Sequence, residues 1–276
     1  MKAAIGVLFF VLAAGVAHAQ ASAPIVRLVS REFAFTAPKQ ISPGLTRIRL
    51  INRGKVPHYA RVVRLDSAKT LADVLAWRRT GGRPPAWFVP VGGPAPVSPG
   101  DSADAAVVVR PGRHVVLCTY PVAGGKSVHL DSGMVRELIV AESPDTTAAP
   151  PNARIDDLES DSEIVLGEYG FSPQPTLRAG YRRFRVTNAG LFAHQVLVAR
   201  LPEGVSDRAE LEWFRENYVA TRPGRPTGGL LEVAPRETGW FAVSLRPGKY
   251  VLICGFSDGT GRHFDKGMSR VIDVGS

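Results

Sequence analysis

Apolar and charged residues alternate along most of the chain in short runs whose period is two. Ile25-Val-Arg-Leu-Val29, Thr46-Arg-Ile-Arg-Leu-Ile51 and Tyr59-Ala-Arg-Val-Val-Arg-Leu65 read as strands, as do segments 105–110, 114–118 and 135–140. The pattern returns in Arg183-Phe-Arg-Val186, Gln195-Val-Leu-Val198, Gly239-Trp-Phe-Ala-Val243 and Tyr250-Val-Leu-Ile253. Pro111-Gly112 and Pro247-Gly248 predict tight turns between strands. Two stretches break the period and predict one helix each, Ser67 to Arg79 and Ser206 to Tyr218. Each opens on a Ser or Asp N-cap and carries Leu75 and Trp77, or Leu211, Trp213 and Phe214, for packing. The proline-rich stretch Pro84 to Pro99, with Trp87 and Phe88, reads as a packed loop. Many short strands with regular turn signals predict an all-β sandwich.

The chain is written twice. Asn52-Arg-Gly-Lys-Val-Pro-His58 aligns with Asn188-Ala-Gly-Leu-Phe-Ala-His194, and Arg110-Pro-Gly-Arg-His-Val-Val-Leu-Cys118 with Arg246-Pro-Gly-Lys-Tyr-Val-Leu-Ile-Cys254, both at an offset of 136 residues. The same offset pairs Phe33 with Tyr169, Trp77 with Trp213, and Gly92-Gly93 with Gly228-Gly229. A period this long is domain-sized, so the expected organisation is one domain at 24–141 and a second at 163–275. Segment 142–162 between them, rich in Pro, Ala, Asp and Glu, reads as a solvated linker.

Composition sharpens the class. Of 276 residues, 45% are hydrophobic and 21% charged, which excludes wholesale disorder and a polytopic membrane protein. Residues 1–19, with Lys2, an apolar run and Ala17-His18-Ala19, read as a signal peptide, which implies a periplasmic or secreted protein; no other run is long and apolar enough for a transmembrane segment. The net charge of +9 lacks an aromatic-interleaved basic stripe, so no nucleic-acid partner is expected. Two cysteines are too few for a disulfide framework.

The rare side chains fall into one pattern written twice. Copy 1 reads His58, then Cys118-x10-His129-x4-Met134; copy 2 reads His194, then Cys254-x8-His263-x4-Met268. In both, 60 residues separate the first histidine from the cysteine. His114 is left over; its counterpart is Tyr250, so it reads as a strand side chain. A thiolate and two imidazoles with a distant thioether form the donor set of a type 1 copper centre. Gly133 and Gly267, before each methionine, let the backbone close near a metal. The competing readings are a Cys118–Cys254 disulfide, which would need two equivalent strand ends to approach within roughly 7 Å, and a metal-free core packing of the same residues.

The Asn-x-Gly-x-x-x-His stretch, the Pro-Gly-x-(Tyr/His)-x-x-x-Cys strand and the His-x4-Met loop make each copy resemble a cupredoxin domain; the copy 2 loop is similar to the type 1 copper loop of copper nitrite reductases. The resemblance spans nearly the whole chain after residue 19. It implies two tandem Greek-key β-sandwich domains, each with one helical insertion and one copper held by His194, Cys254, His263 and Met268 or by His58, Cys118, His129 and Met134. It also implies that the second histidine of each set lies near the surface as the electron's exit. The implied function is single-electron transfer with a redox partner protein, the alternatives being copper storage or delivery and a metal-free structural module. Three departures stand out. Tyr59 and Gln195 occupy the place where many cupredoxins have an asparagine tying two ligand loops together. The Cys118–His129 spacing is longer than is common. Leu117 and Ile253 stand where nitrite reductases have a histidine, and no His-x-His pair of the oxidases is present, so the chain is not expected to be an enzyme.

Overall fold

The computed structural model describes residues 23–145, 148–150, 152–172, 177–216 and 220–276. The signal-peptide segment 1–19 and the expected end of the second helix at Tyr218 lie outside them.

Copy 1 contributes β1 (Ile25–Arg31), β2 (Ala34–Thr36), β3 (Gln40–Ile41), β4 (Gly44–Asn52), β5 (Arg61–Leu65), α1 (Leu71–Thr80), β6 (Phe88–Pro94), β7 (Ser102–Val109), β8 (Gly112–Leu117) and β9 (Val135–Val140). Copy 2 repeats the order with β10 (Ser162–Leu166), β11 (Phe171–Ser172), β12 (Leu177–Arg178), β13 (Gly180–Asn188), β14 (His194–Arg200), α2 (Asp207–Arg215), β15 (Arg225–Val233), β16 (Thr238–Leu245), β17 (Gly248–Ile253) and β18 (Ser269–Gly275). The expected all-β architecture with one helix per copy is observed. Two layers enclose the core: one sheet runs β11-β10-β13-β16-β7-β4-β1-β2, the other β12-β18-β17-β14-β15-β6-β5-β8-β9-β3. In β4 Ile48 and Leu50 are buried while Arg47 and Arg49, alternating with them, stay half-exposed, as period-two patterning requires.

The copies are joined more closely than a linker would make them, because both sheets continue from one copy into the other. β7 pairs antiparallel with β16, and β6 with β15. Phe241 faces Ala105 and Leu230 faces Pro94, and each pair is one position of the duplication meeting its own counterpart. Trp240 opposite Ala106 and Ala242 opposite Asp104 exchange roles on either side. A local two-fold axis therefore crosses both sheets, the arrangement of an isologous dimer interface within one chain. Large residues meet small ones across it, as close packing demands.

Three local expectations change. The Pro84–Pro99 stretch supplies strand β6, which lies beside the axis. Pro90, Gly92, Gly93 and Pro94 disguise it; β6 is bulged against β5, and the glycines have φ of 116° and 128°. A Cβ on Gly93 would collide with the Ala60 carbonyl, and one on Gly229 with that of Val196, which explains why the glycine pair recurs. The first helix starts at Leu71, capped by Thr70 with Asp73 completing a capping box; Ser67 and Ala68, at φ of 56°, form the turn before it. Segment 142–162 is not simply solvated. Its Ala149 and Leu158 are buried with Trp240, Ala106 and Leu45 along the seam, and the Trp240 indole N–H donates to the Glu159 carbonyl (2.9 Å).

One charged group is committed to the seam. The buried Asp104 carboxylate accepts from Arg47 (2.7 Å), from Arg49 (2.7 Å) and, across the copies, from the Tyr181 hydroxyl (2.8 Å). Burial pushes its pKa up, but the hydrogen bonds from Arg49, Tyr181 and Arg47 outweigh it and hold the carboxyl below the ordinary carboxylate range. Removing it leaves two cationic groups without their acceptor. Asp104→Ala should therefore lower unfolding free energy in urea by about 3 kcal/mol. Asp273→Ala, which breaks an exposed pair with Lys249 (2.9 Å), should change it by less than about 1 kcal/mol.

Candidate metal centres

Each first histidine is delivered by a loop that its own motif locks. In copy 2, Asn188 ends β13, and its side-chain amide donates to the carbonyls of Phe192 (2.8 Å) and Val233 (2.9 Å), while its oxygen accepts from the Gly190 N–H (2.9 Å). In copy 1, Asn52 does the same with Val56 (2.8 Å), Val97 (2.9 Å) and Gly54 (2.8 Å). Glycine is required two residues after each asparagine, since a Cβ on Gly190 would lie 2.9 Å from His194 Nε2 and one on Gly54 would lie 2.8 Å from His58 Nε2. Glu168 and Glu32 complete the loops by accepting from the N–H groups of Leu191 (2.7 Å) and Lys55. Sequence reasoning assigned these glutamates no role; their recurrence at the repeat offset was the available signal.

The remaining side chains come from a single turn that closes on itself. Cys254 follows β17, and its N–H donates to the Met268 carbonyl (3.1 Å). The His263 N–H donates to Phe256 O (2.7 Å) and the Met268 N–H to His263 O (2.9 Å), around a 3-10 turn ended by left-handed Gly267. In copy 1, Cys118, His129, Met134 and Gly133 make the equivalent bonds. The longer Cys118–His129 spacing does not disturb the site. Its surplus is folded into a small excursion where the Val122 N–H donates to Ser127 O (2.9 Å) and the Gly125 N–H to Val122 O (2.9 Å). At the two positions noted as departures, the loops are joined by a Tyr59–Thr119 hydroxyl contact in copy 1 and by the Gln195 N–H donating to Cys254 Sγ (3.5 Å) in copy 2.

The result is two buried clusters of donor atoms, His58, Cys118 and His129 in one and His194, Cys254 and His263 in the other, each spanning no more than 4.8 Å. In copy 2 the histidine Nδ1 atoms are 3.0 Å apart and the sulfur lies 3.7 and 3.5 Å from them. In copy 1, Nδ1 to Nδ1 is 3.0 Å and Cys118 Sγ to His129 Nδ1 is 3.6 Å. A point equidistant from the three copy 2 atoms is about 2.0 Å from each, close to the bond length of a transition ion to imidazole. Both cysteines are free, so no disulfide competes for the sulfur. Met134 and Met268 are wholly buried in the same core. His114 lies outside both clusters, its Nδ1 against Gly112 O (3.2 Å).

The second histidines are not at the surface. His129 is 2% exposed and His263 1%. Phe33 stands edge-on to His129 (5.2 Å between centroids) and Tyr169 edge-on to His263 (5.4 Å), with Tyr120 and Phe192 adding further cover. Phe33 adopts φ of 57°, a costly backbone for a bulky residue, in placing its ring there.

Burial acts on the imidazoles and the thiols in opposite directions. Burial, reinforced by His129, lowers His58 to about 4, and burial lowers His129 to about 4; burial and His263 lower His194 to about 4, and His263 is also lowered by burial. The imidazoles are thus neutral at pH 7 and keep a lone pair for a metal. Burial pushes the Cys118 thiol up to about 12 and Cys254 to about 11. The Nε2 atoms of His58, His194 and His263 have no hydrogen-bond partner. Turned away from the cluster, they can carry the proton while Nδ1 faces inward. The residues present fit a soft or borderline transition ion.

No family model matches the chain, and no curated protein matches it significantly. Among solved structures it is similar to the reduced auracyanin of Roseiflexus castenholzii, with 19% identity over 42% of this chain and 96% of that one and a TM-score of 0.33. It is similar also to auracyanin A, a "blue" copper protein of Chloroflexus aurantiacus (18%, 43% and 99%, TM-score 0.31). The copper-containing nitrite reductase of Thermus scotoductus is matched over 91% of this chain and 61% of that one at 15% identity and a TM-score of 0.24. At these scores the cupredoxin-like description rests on the chain's own strands and its two His–Cys–His groups.

Histidines with lowered values destabilise the folded chain on acidification, because the unfolded state binds their protons first. Stability of the metal-free protein should fall as pH drops from about 6.5 toward about 4. Urea midpoints across that window should show the fall, and a His58→Gln, His194→Gln double variant should show a smaller one.

Proposed function

We propose that the chain is an exported tandem copper protein that carries single electrons, with one mononuclear centre in copy 1 (24–141) and one in copy 2 (163–275). The observation that carries this reading is the triangle of two Nδ1 atoms and one Sγ, present in both copies within 4.8 Å and shielded from water. His194, Cys254 and His263 would hold one copper, with Met268 as a weaker fourth donor; His58, Cys118, His129 and Met134 would have these roles in the other copy. Copper held there supplies a one-electron couple whose two states both accept thiolate and imidazole.

The chain's own residues do the rest. The asparagine-locked loops and the Cys–Met backbone bonds fix the donors before metal arrives, so a change of oxidation state requires little rearrangement. The rings of Phe33, Tyr169 and Phe192 exclude water and bring aromatic surface to the second histidine of each site, which makes ring contact the electron's way out. Complete burial of the donors favours retention of the metal over its delivery to another protein.

Because both thiols are protonated and the imidazoles neutral at pH 7, binding Cu(II) should release one proton per site. Titration of unbuffered protein should therefore release two protons in all, together with intense thiolate-to-copper absorption. Cys254→Ser and Cys118→Ser should each remove one proton and one centre's share of the colour, and the double variant both. Colour that survives the double substitution would refute the ligand assignment.

A further inference from the structure

Around the local two-fold axis, equivalent residues of the two copies face each other across a cavity of about 200 Å³. Its walls include Tyr59 and Thr119, which follow His58 and Cys118, and Gln195 and Gly255, which follow His194 and Cys254. The cavity thus lies between the two clusters, one residue from a donor of each. Four positions of the duplication meet there, and all four have diverged: Tyr59 against Gln195, Arg61 against Leu197, Thr119 against Gly255 and Tyr120 against Phe256. The donor positions beside them, His58 with His194 and Cys118 with Cys254, are the same in both copies.

Arg61 is its unsatisfied member. A guanidinium carries five N–H donors in a planar fork. The Arg61 Nε has no hydrogen-bond partner; it forms only a long ion pair with Glu232 Oε2 (3.4 Å), an atom that also lacks a hydrogen bond, and the guanidinium lies 5.8 Å from the centre of the Tyr59 ring. Burial raises the pKa of Glu232, with Arg61 opposing the shift. Glu232 holds φ of 49°, a strained conformation for its residue type. Arg222, on the same cavity, is held more tightly than Arg61: it is bound to Glu210 (2.6 Å) and lies over the rings of Trp213 (4.8 Å) and Phe214 (5.0 Å). Arg61 keeps 21% of its side-chain surface accessible, so the group is within reach of a solute.

We infer that this inter-copy cavity binds a small carboxylate anion, up to the size of a one-ring acid, with its oxygens on the Arg61 guanidinium and its body against Tyr59, Tyr120 and Phe256. The planar fork matches a carboxylate in two bonds, and such charge-assisted pairs are the strong ones. The volume accommodates a ring, since an apolar void of about 150 Å³ takes up benzene. The inference does not rest on copper, because every group it uses is present in the metal-free chain.

The test is calorimetric titration of the full chain, without metal and again after copper addition, with benzoate, formate, benzamide and benzylamine. Benzoate should bind and raise the unfolding temperature, formate should bind more weakly, and the neutral and cationic rings should not bind. Arg61→Leu installs the residue that copy 2 carries at the equivalent position and should weaken benzoate about tenfold or more; Arg61→Lys, which keeps the charge without the fork, should fall between. Absence of benzoate and formate binding, equal binding of benzamide, or undiminished binding by both variants would overturn the inference. A chain that takes up no copper yet binds benzoate through Arg61 would refute the electron-carrier reading alone.

Discussion

Six donor atoms, four imidazole nitrogens and two sulfurs, are placed where water does not reach, and much of the rest of the architecture follows from keeping them there. Buried polar atoms need partners. Two nitrogens 3.0 Å apart can share one proton between them, but the sulfur at 3.5 to 3.7 Å adds only a weak contact. The cluster is not self-sufficient, and its geometry must be imposed by groups that are. Asn52 and Asn188, with their oxygens and amides fully engaged, and the paired backbone bonds between each cysteine and methionine supply that frame. The frame is ordinary hydrogen bonding, so the strain of holding three donors together is spread over many neutral bonds.

The duplication supplies the second constraint. A single copy would end β6 and β7 as open edges, and an open edge is an invitation to pair with another chain. Here each edge pairs with its own repeat, β7 with β16 and β6 with β15, so the two sheets close on each other. The seam is tuned by size, with Phe241 against Ala105 and Trp240 against Ala106, and by one buried carboxylate at Asp104 that reaches Tyr181 of the other copy. Segment 142–162 then covers the outer face of the join with Ala149 and Leu158.

What the sequence disclosed and what it hid divide along physical lines. Features set by local rules were legible: period-two strands, Pro-Gly turns, the repeat, the Ser206 cap that accepts from the Ala209 N–H (3.2 Å), and the donor residues that converge. Features set by contacts between residues distant in sequence were not. β6 carries the Gly92-Gly93 pair because the carbonyls of Leu231 and Ala60 leave no room for Cβ atoms, and those glycines, with Pro90, read as loop to any local rule. The burial of His129 and His263 depends on Phe33 and Tyr169, far away in sequence, which lay their rings across them. The repeat had paired Phe33 with Tyr169, but pairing marks a shared position and is silent on what the position touches.

The symmetry also explains where the copies had to differ. Away from the axis, equivalent residues see equivalent surroundings, and one side chain serves in both. On the axis, an equivalent residue sees its own counterpart, so identical charged residues would repel and identical large ones would collide. Ala105 opposite its counterpart Phe241 illustrates the second case; Asp104, one position off the axis, faces Ala242. The chamber between the metal centres obeys the same logic, with Arg61 on one side and Leu197 on the other. Two arginines there would confront each other; one arginine leaves a directed positive charge beside a ring-lined void, which a duplication of identical halves could not produce.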